Sequence, residues 1–196
     1  LAAAAPAAAA DLPPGLHLVA GTFARGSQPD GNSVVIEAPE GLVVVDTGRH
    51  EAHTRAVLDL AASLGRPIAA VVNTHWHLDH VGGNARVREA FPRARILASD
   101  ALAAALDGFL ADYRSELLAR LATPGPDTTS AAAMRAEVAL VEAGARLVPD
   151  VVIERSAPRV IAGRSLVVQL AGPAVTAGDV WLQDPATRVV VAGDLV

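Results

Sequence analysis

The sequence contains no cysteine and no lysine; all 16 of its basic residues are arginine. Without cysteine, disulfides and thiolate metal ligands are both excluded. Aromatic residues make up 3% of the chain and methionine occurs once, so its apolar half is mostly alanine, valine and leucine. The all-arginine basic set, with the alanine excess, points to genomic base composition more than to function. No apolar run is long enough to span a bilayer. No arginine-rich stripe offsets the net charge of −5, which argues against a nucleic-acid backbone as partner.

What is present suffices for one domain: 196 residues can bury a sizeable core. Residues 1–10 are nearly all alanine. They read as the tail of a signal peptide, with Ala8-Ala9-Ala10 as a small-residue cleavage site before Asp11, or as an Ala/Pro-rich linker. The first reading makes the protein periplasmic or secreted, with the domain running over 11–196.

Chemistry concentrates in Val71-Val72-Asn73-Thr74-His75-Trp76-His77-Leu78-Asp79-His80-Val81-Gly82-Gly83-Asn84, which holds three of the six histidines. Val71 and Val72 read as the end of a buried strand, and Gly82-Gly83-Asn84 as the start of a helix. Side chains two apart in extended backbone share a face, so His75 and His77 can converge on one point. The turn into the helix aims Asp79 and His80 at a second point. Imidazole nitrogens and a carboxylate suit zinc, and two such points make a two-metal site.

On this His-x-His-x-Asp-His pattern the chain resembles the metallo-β-lactamase superfamily of zinc hydrolases, from about Leu16 onward. The resemblance implies an α/β fold, a four-layer αββα sandwich. It also implies up to two zinc ions and a small-molecule substrate: an ester, thioester, amide or lactam cleaved by zinc-activated water. His75 and His77 would hold the first zinc and His80 the second. Asp79 would ligate the second and orient the nucleophile, and Asp194 would bridge.

Elsewhere the chain reads as strands over Leu16–Ala20, Ser33–Glu37, Leu42–Val45, Ile68–Asn73 and Arg95–Ala98, and again from Val151 to Ala192. Asp46, at the end of the third run, is either a residue holding a ligand in place or a turn aspartate. Helical spacing runs over Glu51–Leu64, with His50 and His53 at its start, on a solvated face or at a pocket edge. Ser99–Leu121 and Ser130–Ala143 read as helices, the first broken near Gly108. The pair is either a wall of the groove or an outer packing layer. Phe109 and Tyr113 fall on one helix face, as core residues. Val43–Asp46 and Val189–Asp194 look like corresponding strand ends of a duplicated half.

Two departures from the family stand out. Where a third histidine is expected, Gly172-Pro173-Ala174-Val175-Thr176-Ala177-Gly178-Asp179 carries Val175, which cannot bind metal. After Asp194 the family continues with a strand, a helix and a final histidine ligand, so the sequence reads as an internal fragment lacking these. The alternative to a zinc hydrolase is therefore a non-catalytic relative, a metal- or ligand-binding module whose site has degraded.

Overall fold

Valine-rich runs build the frame. The computed structural model describes residues 12–23, 27–123, 125 and 127–196; the alanine-rich segment 1–10 lies outside them. Six strands form one sheet in chain order: β1 (Leu16–Val19), β2 (Ser33–Ala38), β3 (Gly41–Val45), β4 (Ile68–Val72), β5 (Arg95–Ala98) and β6 (Val151–Val152). The first three pair antiparallel and β3 to β6 pair parallel. A second, antiparallel sheet runs in the order β10 (Val189–Val191), β9 (Asp179–Asp184), β8 (Arg164–Ala171), β7 (Ala157–Ile161).

The runs in β3 and β4 are nearly continuous because both faces are covered, as parallel strands require. Val43, Val45, Ala70 and Val72 meet Leu166, Val168, Val180 and Leu182 of the second sheet. Their alternates Leu42, Val44, Ile68 and Val71 pack on the helices α1 (Glu51–Ser63) and α3 (Asn84–Ala90), through Val57, Ala61 and Val87. In the second sheet the alternation shows: Val167, Gln169, Trp181 and Gln183 are half-buried. The architecture is the expected mixed α/β sandwich, and among the described residues no apolar cluster ties a helix to the outer face of the second sheet.

A third apolar cluster gathers around the histidine loop. Leu78 and Val81 of the one-turn α2 (Leu78–Val81) and Ala85 of α3 pack against three later helices. These are α4 (Ala101–Asp107), α5 (Phe109–Ala122) and α6 (Thr128–Glu142), which contribute Leu102, Leu110 and Val141. Gly108 divides α4 from α5, as its position predicts. The Asp127 carboxylate caps α6 by accepting from the Thr129 and Ser130 N–H groups. The helical region is thus a wall against the loop, more than an outer layer.

Two sequence expectations are corrected by burial. His53 is 6% exposed, and its Nε2 lies 2.8 Å from the Ser33 hydroxyl, so it is an internal strut rather than part of a solvated face. Phe109 is 64% exposed and not a core residue. Tyr113 is half-buried, packing at the edge of the third apolar cluster and lining a cleft.

Candidate metal centre

Parallel strands β3 and β4 end side by side, and both ends carry chemistry. Beyond β3 stands Asp46 in a left-handed conformation (φ 63°), strain of about 1 kcal/mol that persists because its carboxylate is tied on all sides. Oδ1 accepts from the Thr74 N–H at 2.8 Å, and Oδ2 from the Thr74 hydroxyl at 2.7 Å. Oδ2 also lies 2.8 Å from His80 Nδ1. Asp46 therefore holds the loop and one of its histidines.

A buried polar floor fixes the loop from below. Asn73 and Asn84 bond each other reciprocally, at 3.2 and 2.8 Å. Asn73 and Thr47 both donate to the His80 carbonyl, and Asn84 donates to that of Leu147. Both side-chain amides find acceptors, which makes such a network rigid. Gly31 crosses above His80, where a Cβ would come within 2.8 Å of the ring.

On this floor the rings of His75 and His80 lie 4.1 Å apart, and those of His75 and His77 4.5 Å. His75 Nε2 is 3.0 Å from His77 Nδ1 and 3.7 Å from Asp194 Oδ2. Nitrogens of His75 and His77 and an oxygen of Asp194 all fall within 4.8 Å of one another. Gly193, in a left-handed turn (φ 59°), brings Asp194 there, and a Cβ on it would strike Thr74 at 2.7 Å. His80 Nε2 faces a second set: Asp194 Oδ1 at 3.3 Å and Asp79 Oδ2 at 3.6 Å. The five residues singled out in the sequence meet at one place.

The donor chemistry fits a metal. His80 Nε2 is buried with no hydrogen-bond partner among the described residues, although two carboxylates flank it. A buried polar atom left so would be costly without a ligand. Burial, with the charge of His80 beside it, pushes His75 down to about 4, and burial also lowers His77. Both are therefore neutral imidazoles at pH 7, the form that binds metal. Burial opposes the charge on His80, but the Asp46 carboxylate and its hydrogen bond outweigh it and push the ring up to about 9.

Some partners were invisible in the sequence. Arg49, 8% exposed, reaches Asp79 at 3.5 Å and Glu137 of α6 at 2.5 Å. Tyr113 donates to the same Glu137 oxygen at 3.1 Å. Glu137 shares the buried face of α6 with Val141, four residues on, and an acid on such a stripe is the one available signal. His50 pairs with buried Asp30, which also accepts the Arg49 and His50 N–H groups. Val175, 40% exposed in the loop between β8 and β9, supplies no donor; the carboxylate of Asp194 stands with His75 and His77 instead.

Residues 27–196 match the sequence profile described as the Metallo-beta-lactamase superfamily. The chain belongs to that superfamily. A hydroxyacylglutathione hydrolase of a Synechococcus species is 51% identical over 43 residues, 22% of this chain and 17% of that protein. A linear primary-alkylsulfatase of a Pseudomonas species is 48% identical over 50 residues, 25% of the chain and 10% of that protein. Among solved structures, a metallo-beta-lactamase family protein of Thermus thermophilus superposes with a TM-score of 0.62 at 21% identity. That match covers 92% of this chain and 59% of the Thermus chain. The chain thus spans under two thirds of the length of each of these superfamily members. No helix among its described residues is long and apolar enough to cross a membrane.

Proposed function

We propose that this superfamily member is a zinc-dependent hydrolase of small acyl substrates, an ester, thioester, amide or lactam. The observation that carries the reading is the partnerless His80 Nε2, buried among donors from 75, 77, 79 and 194. His75, His77 and Asp194 would hold one zinc; His80, Asp79 and Asp194 would hold a second. Zinc bound there supplies a Lewis acid and a source of hydroxide at neutral pH.

The chain's own residues prepare the rest. Asp46 accepts from His80 Nδ1 and holds the ring so that Nε2 faces the site, where its proton would give way to a bound metal. The Thr74 hydroxyl, held by Asp46, steadies His75 Nδ1 at 3.0 Å. Asp79 turns Oδ1 to Arg49 and Oδ2 to the site, so that Oδ2 is placed to orient a nucleophile and accept its proton. Similarity to a hydroxyacylglutathione hydrolase over 43 residues supports this substrate range.

Val175, where the superfamily pattern expects a histidine, favours the second reading of a binding module that has lost turnover. One experiment separates them: zinc content after dialysis against trace zinc, with hydrolysis of thioester and lactam reporters, for the protein and a His77→Ala/Asp79→Ala variant. Zinc and turnover that both fall in the variant support the hydrolase. Zinc without turnover supports the binding module, and equal zinc in both proteins rules out the loop.

A further inference from the structure

Beside the candidate metal centre lies a cleft of about 220 Å³ whose walls are largely aromatic and aliphatic. Trp76 stands between His75 and His77 in the chain, and its ring meets His77 edge-on at 4.7 Å. Phe109, first residue of α5, packs on Trp76 with ring centroids 5.4 Å apart, so the two form one aromatic wall. The division of α4 from α5 at Gly108 leaves Phe109 64% exposed, although its neighbour Leu110 is buried. An exposed Phe109 on a half-buried Trp76, next to a catalytic-type cluster, is an apolar surface awaiting cover. A cavity of roughly 150 Å³ already accommodates benzene, so this one has room for a phenyl ring or a short alkyl chain.

The charges around the cleft are already committed to one another. Among its described lining residues the permanent cation is Arg49, whose guanidinium engages Glu137, Asp79 and the Pro29 carbonyl. The Tyr113 hydroxyl is likewise spent on Glu137, so its ring is what it can offer a ligand. Asp79 adds negative charge. An anionic arm would meet a carboxylate and a neutralised arginine, whereas a neutral apolar arm would cover the two rings.

We propose that this cleft is a specificity subsite for a neutral aryl or alkyl arm of the substrate, laid against the wall that Trp76 and Phe109 form together while the scissile group lies at the histidines. The subsite makes a neutral arylalkyl acyl compound the preferred substrate class, over compounds whose arm ends in a carboxylate. As a substrate assignment it rests on the hydrolase reading; as a binding site it does not.

The test therefore reads binding first. The chain has two tryptophans, and Trp181→Phe, on the second sheet, leaves Trp76 as the sole indole reporter. Three probes are titrated into that protein: neutral N-methyl-4-phenylbutanamide, and the anions N-methylglutaramate and N-methyladipamate, whose arms end in a carboxylate. We expect saturable change in Trp76 emission with the amide, at a dissociation constant at least tenfold below those of the anions. Phe109→Ala, at an exposed position, should weaken amide binding about tenfold with zinc content unchanged, and Phe109→Leu should recover part of the loss. Anions binding as tightly as the amide, an unchanged constant in Phe109→Ala, or no saturable binding would each overturn the subsite. Amide binding in a protein that holds no zinc and turns nothing over would sink the hydrolase reading alone. Turnover that is no faster for phenylbutanoyl than for acetyl thioesters would sink the substrate assignment alone.

Discussion

His77 and His80 are three residues apart and are held in opposite ways. His80 is 3% exposed, bonded to Asp46, overlain by Gly31 and fixed through its carbonyl by Asn73 and Thr47. His77 is half-buried, with the rings of His75 and Trp76 and the nitrogen of His75 as its neighbours. Asp194, which faces both donor sets, is 48% exposed along its side chain. One half of the site is therefore part of the folded core, and the other is laid on its surface beside the apolar cleft. Loss of a residue should damage stability on the first side and ligand binding on the second.

The largest contrast is expected at Asp46. Asp46→Ala strips a buried partner from His80 and Thr74, and breaking a buried pair costs about 3–5 kcal/mol. Urea unfolding of the metal-free protein should show that loss; a loss under about 1 kcal/mol would mean that the floor holds His80 without Asp46. His77→Ala should do the reverse, changing metal-free stability by less than about 1 kcal/mol. Its zinc affinity should fall by about 100-fold or more, since loss of a supporting partner alone costs a zinc site roughly 10–100-fold. Calorimetric titration decides this, and retained affinity would move the first metal point away from His77. Asp194→Asn should be milder again, within about 0.5 kcal/mol in stability, but should weaken both zinc steps together. Weakening of one step alone would break the sharing.

A smaller effect concerns acid. Burial opposes the charge on Asp30, yet hydrogen bonds from His50 and from the Arg49 N–H hold its carboxyl below the usual range. A depressed carboxyl stabilises the fold above its unfolded value, near about 4, and that contribution is lost as pH falls through the lower folded value. Metal-free protein should therefore lose stability below about pH 4, and Asp30→Asn should flatten that dependence while lowering stability at pH 7. An unchanged slope would remove Asp30 from the account.

Much of this was legible in local pattern. The end of a valine-rich strand, the ligand spacing and the glycine pair together placed His75, His77, Asp79 and His80 in one short loop. The strands of both sheets followed from apolar runs between turn residues, because burial on both faces leaves few polar interruptions. What stayed hidden depends on distant partners. His53 is internal because Ser33, twenty residues earlier, receives its ring. Arg49 is buried because Glu137, eighty-eight positions later, neutralises it. Phe109 shares a helical face with Tyr113, but Trp76, not the core, is its neighbour. Local periodicity carries no information about pairs so far apart.

The position of Asp194 has a consequence for how the protein is made. It follows His80 by 114 residues, and at about 5–20 residues per second that is roughly 6–23 s of synthesis. Asp46 and the histidines are in the chain throughout that interval, while β7 to β10, which carry Asp194 to the site, have yet to emerge. A cation that meets the nascent chain early finds the three loop imidazoles and Asp79 without Asp194. Closing the site thus waits on synthesis of the second sheet, timed by translation as much as by affinity.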